Sequence, residues 1–249
     1  MCDRSFSVSV AMAAYNGSNY IGEQIKTILP QLKEEDELII SLDPSSDDTE
    51  RIIQEISKTD RRIKLIHGKG QGLVRNFDNA IKHCKNDIIF LSDQDDLWNI
   101  NKVDCVLKAF RNPAVNVVVH DAMVINEKKE CMYTSFFNIR GCGKGIIKNI
   151  VKNSYIGCCM AFRKDIKKYI LPFPVNIPMH DQWIGLIGEI TGRNMFVQKT
   201  LISYRRHKDN ASAETHSDFR QMLMWRLTLV VNLLKFVTKY YMYKERKRK

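Results

Sequence analysis

The sequence lacks the glycine-rich motifs with which many α/β proteins hold phosphate. Neither G-x-G-x-x-G, typical of dinucleotide-binding folds, nor G-x-x-x-x-G-K-[ST], typical of P-loop proteins, occurs in the 249 residues. Both phosphate-binding devices are thereby excluded. If this chain binds a phosphorylated ligand, a bridging metal ion is the obvious substitute for a glycine-rich loop.

Other absences bound the class of protein. The seven cysteines show no metal-ligand spacing and are odd in number, so we expect reduced thiols in a cytoplasmic protein. No positively charged segment leads into a long apolar run at the N-terminus, and we expect no secretory signal. Because no repeat or Pro/Gly/Ser-rich linker interrupts the chain, we predict one domain over 1–215 and a tail over 216–249.

The net charge of +11 is unevenly distributed. Seven Lys or Arg and one Glu lie within 235–249, so this segment alone carries +6. The charge therefore says little about the body of the protein. It is also the only feature that suggests a nucleic-acid-binding protein, since no motif of stacking aromatic residues accompanies it.

The first 120 residues alternate between strand-like and helix-like patterns. Strands are predicted over 6–12, 37–42, 62–66, 87–91 and 115–119, and helices over 19–32, 47–58, 72–84 and 102–110. This alternation predicts an α/β fold with a mainly parallel, Rossmann-like sheet covered by helices on both faces. The pattern is less regular afterwards, with strands predicted over 131–137, 155–162 and 196–204 and a helix over 180–191.

Polar clusters follow three of the predicted strands. They are Tyr15-Asn16-Gly17, Asp43 with Ser45, Ser46 and Asp47, and Asp93-Gln94-Asp95-Asp96. Ligands of open parallel sheets bind beyond the carboxyl ends of the strands, so we expect one cleft that contains all three. A single Asp after a strand is usually a turn residue, but three clusters on one edge argue against that interpretation.

The segment Asp93–Asp96 places three carboxylates within four residues, directly after an apolar strand. Such carboxylates repel one another unless a cation or basic partners neutralise them. Their oxygens are the ligands that Mg²⁺ and Mn²⁺ prefer. The segment therefore predicts a divalent cation, with an exposed acidic turn as the alternative.

Taken in order, these motifs resemble the family 2 glycosyltransferases. The resemblance rests on Ser9–Gly17, on Asp43 within a Ser/Asp-rich turn and on Asp93–Asp96, and extends over roughly residues 5–210. It implies the inverting GT-A fold, a nucleotide-diphosphate sugar as donor, Mn²⁺ or Mg²⁺ as cofactor, and an acceptor half over about 121–215. The turn at Asp43 departs from the family's usual Asp-Asp-Gly-Ser, because it lacks the first acid and contains Pro44.

The resemblance also implies roles for individual residues. The nucleotide-sugar pocket would be lined by Tyr15, Asn16, Asp43, Arg75, Asp93, Arg205 and Arg206. Asp43 would face the base, Asp93 the ribose, and Asp95 the metal together with His207. Asp181, in His180-Asp181-Gln182-Trp183, would be the catalytic base. Arg205 to Asn210 would form a late motif that closes over the diphosphate.

From the residues alone, some of these positions have other interpretations. Asp181 is also suited to cap a helix, and His207 to lie in solvent on the surface. His120-Asp121 is either an acceptor-side pair or an ordinary strand end. Tryptophans 98 and 183 either stack on sugar rings or pack in the core.

Within the family, the motifs resemble bacterial enzymes of capsule, O-antigen or exopolysaccharide synthesis. Those enzymes transfer rhamnose, galactose or glucose, and the implied acceptor is a lipid-linked saccharide. An alternative is an aspartyl-phosphate phosphohydrolase, because Ile88–Asp95 (IIFLSDQD) superficially matches the motif of that class. In such enzymes, however, the motif stands near the start of the chain, whereas three predicted strands precede it here.

The tail combines apolar and basic residues. Its apolar positions between 219 and 243 are interrupted by Asn232, Lys235 and Lys239 and are followed by Lys244–Lys249. The interruptions argue against a membrane-spanning helix. An apolar helix with a basic end is typical of monotopic binding to anionic lipid, so we expect a peripheral protein on the inner face of the plasma membrane. The alternative is a helix packed on the body with a solvated basic end.

Overall fold

The computed structural model describes residues 5–208 and 219–246. Its strands are β1 Val8–Ala14, β2 Glu37–Leu42, β3 Ile63–His67, β4 Ile88–Ser92, β5 Leu97–Trp98, β6 Val115–Ile125, β7 Cys131–Tyr133, β8 Met160–Arg163 and β9 Arg193–Arg205. Its α-helices are α1 Ile21–Ile28, α2 Thr49–Ser57, α3 Leu73–His83, α4 Lys102–Ala109, α5 Phe136–Arg140, α6 Ile146–Val151, α7 Lys167–Ile170, α8 His180–Thr191 and α9 Phe219–Arg246.

The N-terminal half is the predicted Rossmann-like unit. Four strands run parallel in the order β3-β2-β1-β4. Every residue of β1, β2 and β4 is buried, as expected for strands covered by helices on both faces. On one of these helices, Ile21, Ile25 and Ile28 follow helical spacing and all lie in the core. The carboxyl ends of β1, β2 and β4 therefore meet at one edge, where the polar clusters lie.

The second half extends the same sheet with mixed directions. Beyond β4 the order is β8-β6-β9-β5, with β7 paired to β6. The pair β6–β9 is parallel, whereas β4–β8, β8–β6 and β9–β5 are antiparallel. The sheet is thus parallel in its N-terminal half and mixed in the other. This arrangement carries β9 and the residues after it back to the edge where β4 ends.

Two predicted strands of the second half are partly wrong. The strand predicted over 131–137 ends at Tyr133, and the chain then forms α5, because Ser135 Oγ accepts the N–H of Asn138 and caps the helix. The carboxylate of Asp121 holds the same helix by accepting from Ser135 Oγ and Phe137 N. Asp121 therefore has a structural role at the strand. The strand predicted over 155–162 begins only at Met160, after a 3₁₀ turn.

Helix α9 packs on the body through one face. Leu229 and Leu233 are buried, and the ring of Phe236 meets Trp183 at 6.4 Å and Tyr169 at 6.0 Å in edge-to-face contacts. The alternative predicted from the sequence, a helix packed on the body, is therefore correct for this face of α9. No helix within 5–208 or 219–246 combines the length and the apolar character needed to cross a membrane. The tryptophans at 98 and 183 are both core residues.

Candidate active site

The ends of β1 and β4 are joined by the side-chain amide of Gln94. Its Oε1 accepts the N–H of Tyr15 at 3.0 Å, and its Nε2 donates to the carbonyl of Tyr15 at 2.8 Å. A Cβ on Gly17 would lie 2.1 Å from Gln94 Oε1, so a larger residue at this position would displace the Gln94 amide from Tyr15. The ring of Tyr15 is 57% exposed at the edge of the sheet. The first and third polar clusters therefore come together as predicted.

Asn16 and Asp43 join the ends of β1 and β2. Ser46 N donates to Asn16 Oδ1 at 2.9 Å, and Asn16 N donates to Ser45 Oγ at 3.0 Å. Asp43 is buried, and its Oδ1 accepts the N–H of Gly70 at 3.0 Å. Asn16 has a φ of 44°, a conformation that asparagine adopts more readily than most residues. Both predicted residues lie at the expected edge, where their hydrogen bonds hold the loops together.

Arg75 makes different contacts from those predicted. Its Nη1 donates to the carbonyl of Phe173 at 2.8 Å and its Nη2 to that of Pro174 at 3.4 Å. Asp78 fixes the same loop by accepting the N–H of Phe173 at 2.6 Å. The Arg75 guanidinium thus holds the loop after α7 in this conformation. Its expected contact with the nucleotide stays a prediction.

The acidic segment after β4 is largely buried, which excludes the alternative of an exposed acidic turn. Burial, followed by the neighbouring carboxylate of Asp95, raises the pKa of Asp96 to about 7. The pKa of Asp93 is raised by burial and by the carboxylates of Asp96, Asp95 and Asp181. The carboxylates of Asp93 and Asp96 lie close together, and the charge of Asp181, on α8, contributes to the raised pKa of Asp93. Such a cluster favours a bound cation.

A buried lysine lies beneath this cluster. Lys102 is fully buried, its Nζ donates to the carbonyl of Cys158 at 2.8 Å, and it lies 3.8 Å from the centre of the Trp98 ring. Burial lowers the pKa of Lys102 to about 8, while its charge in turn lowers the pKa values of Asp93 and Asp96. Lys102 is thus an internal counter-charge for the acidic segment.

The end of β9 closes over the acidic segment. Arg205 N donates to Asp96 Oδ1 at 3.0 Å, Arg205 Nε to the carbonyl of Asp95 at 2.8 Å, and Arg205 Nη2 to Glu23 Oε2 at 2.9 Å. Arg205 is 3% exposed, so its side chain positions the acidic loop from inside the protein. Its expected contact with the nucleotide sugar stays a prediction. Arg206 lies beside Tyr204, with Nη1 3.3 Å from the hydroxyl oxygen.

His207 lies against Asp95, and the two were predicted to share a metal. The Nε2 of His207 is 2.7 Å from Asp95 Oδ2, and the His207 ring stacks on Tyr20 at 4.7 Å. Its side chain is 4% exposed, which excludes a solvated surface histidine. Asn210, the last residue of the predicted late motif, lies outside the described residues.

The donor set fits a hard divalent cation at Asp95 and His207. With metal–ligand bonds of about 2.1 Å, two adjacent ligands lie about 3 Å apart, close to the spacing of these two side chains. A second group comprises Asp93, Asp96 and Cys158, whose ligand atoms lie within 4.8 Å of one another. Burial raises the pKa of the Cys158 thiol, so the sulfur stays protonated and is a poor ligand.

Asp181 lies in the first turn of α8, and Met179 occupies the N-cap position. Its Oδ1 accepts from Gln182 N at 2.6 Å and from Asn153 Nδ2 at 3.1 Å. Burial raises the pKa of Asp181 to about 6 although these hydrogen bonds lower it. Asp181 is therefore not the N-cap. A buried carboxylate of this kind is suited to accept a proton near neutral pH.

The histidine before Asp181 fixes the start of the helix by packing. His180 is buried and stacks on Phe77 at 4.0 Å, and burial lowers its pKa to about 3, so the ring is neutral. A Cβ on Gly157 would lie 2.7 Å from His180 Nε2. The 3₁₀ turn at Gly157 thus packs directly against the start of α8. The Nδ1 of the buried His120 donates to the carbonyl of Asp121 at 2.8 Å.

Sequence reasoning missed four polar residues that build the site: Glu23, Gln94, Lys102 and Asn153. The burial of Lys102 could have been predicted from the sequence. Lys102 and Val106 are four residues apart and therefore lie on the same, buried face of α4. Glu23 and Asn153 give no such signal, since their partners Arg205 and Asp181 lie far away in the chain.

Comparisons with known proteins agree with this architecture. The model of glycosyl transferase family 2 matches residues 9–171. The chain is 31% identical over 189 residues to WfgD of Escherichia coli, a UDP-Glc:alpha-D-GlcNAc-diphosphoundecaprenol beta-1,3-glucosyltransferase, covering 74% of this chain and 71% of that protein. It is 28% identical over 221 residues to the dTDP-rhamnosyl transferase RfbG of Shigella flexneri, covering 80% and 72%.

Other relatives are longer, and solved structures share the fold. The chain spans 33% of an uncharacterized glycosyltransferase of Rickettsia bellii, to which it is 25% identical. S. aureus TarS in complex with UDP-GlcNAc superposes with a TM-score of 0.68 at 16% identity, covering 91% of this chain and 67% of that one. The mannosyltransferase PcManGT of Pyrobaculum calidifontis, in complex with GDP-Man and Mn²⁺, gives 0.65 at 18% identity, covering 82% and 58%. The fold is of the GT-A type, and the chain belongs to glycosyl transferase family 2 as a glycosyltransferase enzyme.

Proposed function

We propose that this glycosyltransferase inverts the configuration of a hexose or deoxyhexose that it moves from a nucleotide-diphosphate sugar to a hydroxyl of a lipid-linked saccharide. The proposed process is the synthesis of a bacterial capsule, O-antigen or exopolysaccharide. The names of WfgD and RfbG, which act with UDP-glucose and dTDP-rhamnose donors, support this class of reaction. The observation that carries the proposal is the buried carboxylate of Asp181, whose charge raises the pKa of Asp93 in the acidic segment.

In this proposal Asp181 is the general base. The acceptor oxygen attacks the anomeric carbon, its proton passes to the Asp181 carboxylate, and the bond from that carbon to the diphosphate oxygen breaks with its electron pair. A single in-line displacement of this kind inverts the sugar. Because the diphosphate leaves without protonation, one carboxylate is sufficient, in contrast to the pair used in glycoside hydrolysis.

The donor side is assigned to the residues around the acidic segment. We assign Tyr15, Asn16 and Asp43 to the nucleotide, Asp93 to the ribose, and Asp95 with His207 to Mn²⁺ or Mg²⁺. When bound, the cation neutralises the negative charge of the diphosphate. Arg206 is the candidate for direct contact with the phosphates, whereas Arg205 and Arg75 act by holding the acidic loop and the loop after α7 in place.

We also propose that the protein works as a peripheral protein at the inner face of the plasma membrane. The basic C-terminal segment would bind anionic lipid, and a lipid-linked acceptor would be presented at the same surface. The charge of the tail and the apolar outer face of α9 support this proposal. No nucleic-acid partner is proposed.

A donor screen tests the function. Purified protein is incubated with Mn²⁺, a lipid-linked saccharide and UDP-, dTDP- or GDP-sugars, and the release of nucleoside diphosphate is measured. We expect release with one donor and its loss in Asp181→Asn. Release of inorganic phosphate without sugar transfer would instead support the phosphohydrolase alternative.

A further inference from the structure

We propose that α6 and the outer face of α9 form one docking surface for an anionic lipid bilayer, located directly beside Asp181. We call the exposed residues of these two helices, with the lysines that flank α6, the docking surface; they are Lys144, Ile147, Lys148, Val151, Lys152, Leu223, Met224, Leu227, Val231 and Leu234. The inference rests on the proposed transfer to a lipid-linked acceptor. It goes beyond that proposal because it assigns membrane contact to α6, which lies within the proposed acceptor half, as well as to the basic tail.

The charge pattern along the chain is the first observation. No Asp or Glu occurs from Cys131 to Lys164, a stretch with six Lys or Arg, and none occurs from Phe219 to Lys244, a stretch with five. At the average acidic content of the chain, these two stretches would hold about seven Asp or Glu. The two basic stretches are far apart in the sequence, so sequence proximity does not explain why both lack acids.

The fold brings the two stretches together. Arg226 Nη2, on α9, donates to the carbonyl of Val151, the last residue of α6, at 2.8 Å. The α6–α9 contact leaves the outward faces of both helices uncovered within the described chain. On α6, Ile147 is 79% and Val151 57% exposed, one helical turn apart on the same face. Three exposed lysines, 144, 148 and 152, flank them.

The outward face of α9 continues this pattern. Leu223, Leu227, Val231 and Leu234 recur every three to four residues, and each is about half exposed. The opposite face, with Leu229 and Leu233, is the one packed on the body. A helix that is apolar on both faces, with one face already packed, needs a second apolar environment for the other.

The positive charge of α9 indicates which kind of partner binds the docking surface. From 219 to 246, α9 has six basic residues and one acidic residue, so two copies of this chain facing each other through α9 would repel. An anionic bilayer supplies both an apolar interior for the exposed Ile, Val and Leu side chains and negative head groups for the lysines. The docking surface therefore fits an anionic bilayer better than a second copy.

Helix α6 links the docking surface to the proposed base. The buried side of the α6 segment contacts the start of α8: the carbonyl of Asn149 accepts from Gln182 Nε2 at 2.6 Å, and Asn153 Nδ2 donates to Asp181 Oδ1 at 3.1 Å. One α-helix, with a diameter of about 10 Å, thus separates the docking surface from Asp181. Docking through α6 places Asp181 at head-group depth, within reach of the first sugars of a lipid-linked acceptor.

Vesicle co-sedimentation of the full chain tests this inference. The vesicles consist of phosphatidylcholine with or without phosphatidylglycerol, at low and high salt. The test variant is Ile147→Asp, and the matched control is Ile100→Asp, because both side chains are 79% exposed but Ile100 lies between β5 and α4. Thermal unfolding and turnover on a water-soluble acceptor establish that each variant is folded.

We expect wild type and the Ile100 control to bind anionic vesicles within two-fold of each other, and the α6 variant to bind at least ten-fold more weakly. Turnover on a lipid-linked acceptor in vesicles should fall with binding, while turnover on the soluble acceptor is retained. Equal binding by the α6 variant and the control would overturn the inference. So would wild-type binding that does not depend on anionic lipid, or a dimer in solution that Leu227→Asp dissociates.

The outcomes also separate this inference from the proposed function. If the α6 variant loses vesicle binding but wild type transfers sugar to no acceptor, the docking surface stands and the proposed reaction fails. If wild type transfers sugar and all forms bind vesicles equally, the reaction stands and the docking surface fails.

Discussion

Replacement of Asp181 by Asn separates a catalytic role from a structural role. The amide keeps the shape of the carboxylate, and its oxygen still accepts from Gln182 N and Asn153 Nδ2, but it cannot take a proton. We expect turnover to fall by about 10²–10⁴-fold while the affinity for nucleoside diphosphate stays near that of wild type. A helix-cap role predicts the opposite result, namely lost stability with retained turnover.

The stability change can be estimated from the raised pKa. A shift from the ordinary 3.8 to about 6 makes the ionised Asp181 unfavourable in the folded state by roughly 3 kcal/mol at neutral pH. Because the folded carboxyl binds its proton more tightly than the unfolded one, stability falls as pH rises from about 4 to 6 and is then constant. Asp181→Asn should remove this pH dependence and should not destabilise the protein at pH 7.

Two assays measure this prediction. Steady-state kinetics from pH 5 to 8 should show wild-type activity rising with pH through about 6 to a plateau, and this rise should be absent from the residual activity of the variant. Urea unfolding at pH 4.5 and 7.5 measures the stability term, with the exposed Asp104→Asn as a charge-matched control. Turnover of Asp181→Asn within a few-fold of wild type would refute the assignment of this residue as the base.

Three further predictions concern the metal, the buried lysine and the tail. Asp95→Ala should abolish Mn²⁺-dependent binding of nucleoside diphosphate in calorimetric titrations, whereas the exposed Asp104→Ala should bind normally; unchanged metal-dependent affinity in Asp95→Ala would contradict the ligand assignment. Lys102→Met should destabilise the metal-free protein in urea unfolding by about 3 kcal/mol, since it leaves buried carboxylates without their counter-charge, and Mn²⁺ should restore part of the loss. An equal loss with and without Mn²⁺ would show that the lysine acts by packing alone. Deletion of 244–249 removes a net charge of +4, which at about 1 kcal/mol per charge should weaken binding to anionic vesicles by up to several hundred-fold at low salt without changing turnover on a soluble acceptor. Equal sedimentation of the full and truncated chains would place the basic end in solvent.

The parallel half of the fold could be predicted because its signals are local. Strands β1, β2 and β4 are continuous apolar runs, and the helices between them carry clear periodicity, so each element is encoded by its own residues. In the second half, structure depends on partners distant in the chain. Helix α5 exists where the pattern favoured a strand, since Asp121 of β6 holds its first turn.

The site shows the same division between local and distant information. The edge at which the polar clusters meet follows from strand order alone, and the pairing of Asp95 with His207 was expected from the resemblance. The positions of the two arginines could not be anticipated. The guanidinium of Arg205 meets Glu23, 182 residues away, and that of Arg75 meets the carbonyl of Phe173, 98 residues away. Only the folded chain shows that these charges serve loops of the protein.

The most direct test of the proposed reaction is the anomeric configuration of its product. With a donor selected by the screen, the purified enzyme, Mn²⁺ and a saccharide acceptor, NMR follows the coupling constant of the anomeric centre as the new glycosidic bond forms. A single displacement assisted by Asp181 predicts a product of the opposite configuration to the donor, formed in step with release of nucleoside diphosphate. A product that keeps the donor's configuration would contradict the proposed mechanism.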